Sequence, residues 1–305
     1  MPSKIRALPI PLLDLFPAFA LTLQAAGRSP ETVKSYRLAV NSLDSFLHRA
    51  GQPRCIQELR RAHVEAYIAE LLRTRTPGTA ANRYRSLQQF FKWAAGTEKV
   101  IAASPMAEMR PPHVPEQTTP LISEGDIRAL FAACAGATFE DRRDTAILAL
   151  LVDTGMRRGE LAGMRLGDLD RALQLARVVG KGSRPRSCPY GKRTAVLLDR
   201  YLRIRAGHRL AHRAELWLGR VAPLTASGIY QMLRERAKAA GLQHVHTHQF
   251  RHGFAHAYLA AGGQETDLLR LAGWKSRQML SRYGAAAADE RAREAYKKLS
   301  PMDRL

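Results

Sequence analysis

The residues with the most specific chemical pattern lie near the carboxyl end, where the chain reads His246-Thr247-His248-Gln249-Phe250-Arg251-His252-Gly253. On a helix, residues three apart share a face, so His248 and Arg251 present an imidazole and a guanidinium to one point in space. That pair suits a phosphate. Twenty-three residues later Trp274 offers an indole N–H that can only donate, and nine residues beyond it Tyr283 offers a phenol. The set combines hydrogen-bond donors with one possible nucleophile.

Two further stretches belong with it. An uninterrupted apolar run, Ala146 to Val152, ends at Asp153-Thr154-Gly155-Met156-Arg157-Arg158-Gly159-Glu160-Leu161. A buried helix followed by a glycine turn fixes the backbone while aiming guanidinium groups outward, and Glu160 lies one helical turn from Arg157 and could orient it. Leu173 to Val179 is rich in β-formers, and Gly180-Lys181-Gly182-Ser183 is a tight-turn signature. Lys181 would therefore stand at a hairpin tip, with Arg184 and Arg186 behind it. Pro185 and Pro189 in the returning strand suit only an edge of a sheet.

The elements that must position these groups are mostly helical. In the first hundred residues Ser29-Pro30-Glu31 is an N-cap with proline at the first helical position, and Val33, Tyr36, Val40, Leu43 and Leu47 form one stripe. Val64, Tyr67, Ile68, Leu71 and Leu72 make a second stripe, and Tyr84, Leu87, Phe90, Phe91 and Ala94 a third. With a segment from Leu13 to Leu23 the expectation is a four-helix bundle over residues 1–104. Arg73, Arg75, Arg83 and Arg85 flank Thr76-Pro77-Gly78 as a candidate phosphate-facing loop. Pro105, Pro111, Pro112, Pro115 and Pro120 mark residues 105–120 as a linker. Residues 121–305 form the second domain, opening on a capped helix at Ser123, Glu124 and Asp126, with helices over 194–205 and 225–240. A last helix carries the narrow stripe Ala292, Ala295, Tyr296 and Leu299, suited to packing on its own domain or on a neighbour. The fold class is mainly α (α+β), with a small β-sheet in the second domain.

The chain has 305 residues, 48 Lys and Arg against 27 Asp and Glu, and a formal charge of +21. Residues 1–104 carry +8 of it and the remainder +13, so both domains are suited to a polyanion such as double-stranded DNA. Cys55, Cys134 and Cys188 form no CxxC pair, which argues against a disulfide framework or a structural zinc and fits a reducing compartment. No apolar run reaches the ~18 residues of a membrane helix, so the expected setting is cytoplasmic, with no membrane partner.

The run Thr154 to Leu161, taken with His248-xx-Arg251 and Tyr283, resembles the tyrosine recombinase (phage integrase) family over essentially the whole chain. The resemblance implies a core-binding first domain and a catalytic second domain of the two-domain type, similar to Xer-type or Cre-like recombinases. It implies the catalytic set Arg157, Lys181, His248, Arg251, Trp274 and Tyr283, supported by Glu160, with Arg73, Arg75, Arg83, Arg85, Arg184 and Arg186 as DNA contacts. The reaction implied is cutting and rejoining of DNA through a 3′-phosphotyrosine, with no cofactor, metal or ATP, in a tetramer on two DNA sites. A paralogous partner recombinase stays open. Two other readings also stand at this point: relaxation of DNA in the manner of a type IB topoisomerase, and a catalytically silent DNA-binding regulator. A metal role for His244, His246, His248, His252 and His256 is disfavoured because no carboxylate lies at ligand spacing.

Overall fold

Helix caps and apolar stripes divide the chain into two compact units, Met1–Gln117 and Thr118–Leu305. The computed structural model describes residues 8–115, 121–180, 184–243, 245–274, 280, 292–293, 296–297 and 299–304, with Arg184 described by its backbone alone.

In the first unit α1 (Leu12–Ala25), α2 (Pro30–Arg49), α3 (Arg61–Thr74) and α4 (Pro77–Gly96) pack around one core. Ser29 and Thr76 each cap a helix through the side-chain oxygen, and each is followed by proline at the first helical position. Pro17 sits inside α1 without ending it. An internal proline costs roughly 3 kcal/mol; Leu15, Phe16, Phe19, Ala20 and Leu23, all buried on the same helix, outweigh that. Phe19 meets Tyr36 and Phe90 edge-on with centroids 5.4 Å apart, and so ties α1 to α2 and α4. The stripes of α2, α3 and α4 face this core, except that Leu72 is exposed. The core also takes in Met106, which lies within the stretch read from its prolines as a linker, and the Tyr84 hydroxyl donates to the Met109 carbonyl at 2.5 Å. Proline content marks irregular backbone there, but irregular backbone still packs when it carries large apolar side chains.

The second unit is built on α6 (Phe139–Thr154), whose Ala146 to Leu151 are all buried. Around it lie α5 (Glu124–Ala132), α7 (Arg158–Ala162), α8 (Lys192–Ala206), α9 (Ala226–Ala239), α10 (Thr247–Ala260) and α11 (Glu265–Ala272). An antiparallel sheet of β1 (Leu169–Asp170), β2 (Leu175–Gly180) and β3 (Arg184–Pro189) runs in that spatial order. Pro185 pairs with Val179 and Pro189 with Leu175, and β3 is an edge of the sheet as its prolines require. On β2 the two-residue period turns Ala176 and Val178 inward; on β3 it puts Arg186 and Cys188 on the inner face and Pro185 and Ser187 outside. Strand β1, only two residues long, carries too short a pattern to be read from the sequence. Among the described residues no helix is long and apolar enough to cross a membrane.

Leu150 is fully buried within the larger core of the second unit, whereas Val196 is half exposed on α8. Leu150→Ala is expected to cost about 3 kcal/mol and Val196→Ala well under 1 kcal/mol; the shift of the urea unfolding midpoint measures the difference.

Candidate active site

The site begins where α6 stops. Gly155 takes a left-handed conformation (φ +54°), closing the helix, and a Cβ at this position would stand 2.8 Å from the Phe254 ring on α10. Only glycine lets the two helices approach there. Its carbonyl then accepts a hydrogen bond at 2.8 Å from Nη1 of Arg251 on α10. Arg251 is 2% exposed, and its Nη2 donates to the Ala272 carbonyl at the end of α11. Two donors of the fork are thereby spent on carbonyls, which fixes the plane of the guanidinium. The Trp274 ring covers it, 5.3 Å from the guanidinium carbon to the ring centroid.

Arg157 sits at the N-cap of α7. Its side chain donates to Glu160 Oε1 at 2.8 Å, and its backbone N–H donates to Glu160 Oε2 at 2.7 Å. The same Oε2 accepts from Arg186 Nη2 at 2.7 Å. Burial works to raise the Glu160 carboxyl, but the bonds and charge of Arg186 and Arg157 outweigh it and hold the group below the ordinary carboxylate value. Glu160 is thus a buried anion shared by two guanidinium groups.

Met156, Arg157, Arg158, Gly159, Tyr230, His246, Thr247, His248 and Arg251 line one cleft of about 360 Å³. His248 is exposed in it. Its imidazole is pushed below the ordinary value by the surrounding protein mass, then by the charges of Arg251, Arg157, Arg158 and His246. One turn along α10, His252 is lowered to about 4, mainly by burial and then by His248 and Arg251. A cleft lined by three arginines beside an imidazole of lowered proton affinity can bind a tetrahedral anion and accept or relay a proton.

The structure therefore brings together Arg157, Glu160, His248 and Arg251, with Trp274 against Arg251. Lys181 and Tyr283 lie outside the described residues, as does the side chain of Arg184. Arg73 and Arg75 are exposed where α3 ends, with Arg73 also paired to Glu70 at 2.7 Å; within α4 Arg85 is exposed and Arg83 half-buried. Arg186 lies elsewhere than at the surface. Expected as a DNA contact, it has a side chain only 9% exposed, is bonded to Glu160 and the Leu271 carbonyl, and faces inward beside Cys188. Strand alternation is the reason: Arg186 shares a face with buried Cys188. Sequence reasoning assigned no role to Arg158, Tyr230 or His246 in the cleft. Arg158 lies 5.3 Å from the Tyr230 ring centroid, an interaction across α7 and α9 that no local pattern encodes. Among the described residues no group of three His, Cys, Asp or Glu could hold a metal ion.

A family model described as the phage integrase family matches residues 121–290, and one described as the phage integrase N-terminal SAM-like domain matches residues 15–99. Tyrosine recombinase XerC of Corynebacterium efficiens is 28% identical over 277 residues, 90% of this chain and 87% of that relative. Tyrosine recombinase XerC 2 of Ralstonia nicotianae is 31% identical over 265 residues, 82% and 75% of the two chains. Among solved structures, the XerH site-specific recombinase bound to palindromic difH substrate, a post-cleavage complex, has a TM-score of 0.74 at 13% identity, covering 93% of this chain and 84% of that one. A lambda integrase tetramer bound to a Holliday junction has a TM-score of 0.66 at 17% identity, covering 88% and 78%. A mainly helical chain with a small antiparallel sheet and an arginine-lined cleft is thus of the DNA strand-exchanging class. It belongs to the phage integrase family, the tyrosine recombinases that carry out site-specific DNA recombination. The topoisomerase and silent-regulator readings are not favoured.

Acid should weaken the second unit through His252. Its ring holds a proton less well folded than unfolded, so between the ordinary value near 6.5 and about 4 the unfolded chain binds more protons. Stability from this residue is complete above that window and is lost as pH falls through it, by about 2 kcal/mol after allowing for solvent screening. His252→Gln should flatten the dependence of the urea midpoint between pH 7 and pH 4; an unchanged slope would exclude His252 as its source.

Proposed function

We propose that this chain cuts and rejoins DNA by transesterification, with residues 1–104 as a core-binding domain, 105–120 as a linker and 121–305 as the catalytic domain. The observation that carries the reading is the cleft in which Arg157, His248 and Arg251 converge around a volume suited to one phosphate, with Glu160 holding Arg157. The phenolic oxygen of Tyr283 forms a bond to phosphorus while the bond from phosphorus to the 5′ oxygen breaks. The product is a 3′-phosphotyrosine and a free 5′ hydroxyl.

A phenol with a pKa near ~10 needs help to lose its proton. His248 takes that role, because burial and then the cations around it lower its affinity for a proton. Arg157 and Arg251 bind the non-bridging oxygens and stabilise the charge that grows on the five-coordinate phosphorus. Trp274 adds an indole donor, and Lys181 gives a proton to the leaving oxygen. Side chains supply all the positive charge in this scheme, so no metal or ATP enters it. Arg73, Arg75, Arg83 and Arg85 contact backbone phosphates, and Arg184 contributes at the hairpin.

The working assembly is a tetramer on two DNA sites, formed with itself or with a paralogue. Support comes from the lambda integrase tetramer on a Holliday junction and from the terminal stripe, where Ala292, Tyr296 and Leu299 are all exposed.

On a nicked duplex the wild-type chain is expected to form a covalent adduct that persists in EDTA, while Tyr283→Phe binds the same duplex and forms none. Denaturing electrophoresis reads the adduct, and native gel mobility the binding. An adduct in the phenylalanine variant, or its loss on chelation, overturns the scheme. Removal of residues 286–305 should abolish assembly of two duplexes and leave binding of a single site within about 3-fold; native gel mobility separates the two species.

A further inference from the structure

We infer that Arg186 is a positioning residue for strand transfer: from β3 it holds Glu160, and through it Arg157, in register with the end of α11 and the Gly273-Trp274 corner. The inference rests on the proposed transesterification.

Arg186 makes bonds in two directions. Nη2 reaches Glu160 Oε2 at 2.7 Å, the same oxygen that accepts the Arg157 backbone N–H. Nη1 donates to the Leu271 carbonyl, one residue before the Ala272 carbonyl that accepts from Arg251, and lies 2.9 Å from Cys188 Sγ. Two consecutive carbonyls at the carboxyl end of α11 are thus each bound by a guanidinium, where the helix dipole favours cations. The Arg186 side chain also passes close to Gly273, whose φ is +64° and where an added Cβ would stand 2.8 Å from Arg186 Cδ. Trp274 follows directly, and its ring covers Arg251. Arg186 therefore reaches Arg157 through Glu160 and anchors that link on the end of α11, while its own side chain is only 9% exposed. Lysine could keep the charge but not both bonds, because its single ammonium lacks the planar fork.

The test uses the full-length chain on a nicked duplex, with DNA affinity, single-turnover adduct formation and urea midpoint measured for each variant. Arg186→Met should bind DNA within about 3-fold of wild type yet form adduct about 100-fold more slowly, the cost of displacing a phosphate-binding group by about 1 Å. Arg186→Lys should lose about 10-fold, because one of the two bonds survives. Because Arg186 acts through Arg157, adding Arg186→Met to an Arg157→Lys background should slow the remaining reaction by less than about 3-fold. A merely structural role would instead lower the rate by the same factor in both backgrounds, and that result overturns the proposal. So would an adduct rate for Arg186→Lys within 3-fold of wild type, or a fall in DNA affinity that matches the fall in rate. If Arg186→Met fails to fold, Arg186→Lys, alone and combined with Arg157→Lys, decides. Absence of adduct with the wild-type chain would be a different failure, one of the strand-transfer reading itself.

Discussion

A protein that binds a phosphodiester with side chains alone must hold several permanent cations close together before the anion arrives. Two unit charges about 6 Å apart repel by roughly 3 kcal/mol at an effective dielectric of ~20, and arginine cannot escape by deprotonating. Here the repulsion is met by one buried carboxylate and a set of backbone carbonyls. Glu160 is shared by Arg157 and Arg186. Arg251 and Arg186 take the carbonyls of Gly155, Ala272 and Leu271. Each of those carbonyls lies at or just beyond the carboxyl end of a helix, where acceptors are left without intrahelical partners. The helices supply the acceptors and the arginines satisfy them, so the ends of α6 and α11 become part of the site.

This arrangement explains why the residues come from distant parts of the chain. Helix α7 carries Glu160 and its N-cap Arg157, β3 carries Arg186, α10 carries His248 and Arg251, and α11 ends in the carbonyls. A guanidinium bonded in two directions needs partners on more than one element. The close approaches at Gly155 and Gly273 follow from the same demand, since each glycine admits a side chain from another element into the space a Cβ would fill. Core packing around α6 then holds the frame still, and that rigidity keeps a planar fork aimed.

Much of this was legible in the residues. Caps at Ser29 and Ser123 and the apolar stripes are local signals, and local signals survive without knowledge of the fold; Thr76-Pro77-Gly78, read as a loop, opens α4 instead. His248 and Arg251 were legible as a pair because three residues on a helix fix their common face. Arg186 was grouped with Arg184 by charge and sequence proximity; counting in twos from Cys188 turns it inward. Met106 was hidden by the prolines around it. The contact of Arg158 with Tyr230 joins residues over seventy positions apart, and no pattern within either helix announces it.

The histidines show what the charge arrangement does beyond binding. An exposed imidazole is half protonated near pH 6.5, and a protonated His248 could not accept a hydrogen from a phenol. Burial penalises a proton on His248, and the cations that suit the cleft to a phosphate add to that; burial, with His248 and Arg251 after it, lowers His252 to about 4. The field that favours an anion thus also adds to the effect of burial on the imidazole. A carboxylate beside His248 would raise its pKa and weaken the anion site together, whereas Glu160, buried behind Arg157 and bonded to two guanidinium groups, organises the cations without cancelling the field at the imidazole. The position of that single carboxylate therefore matters as much as its charge.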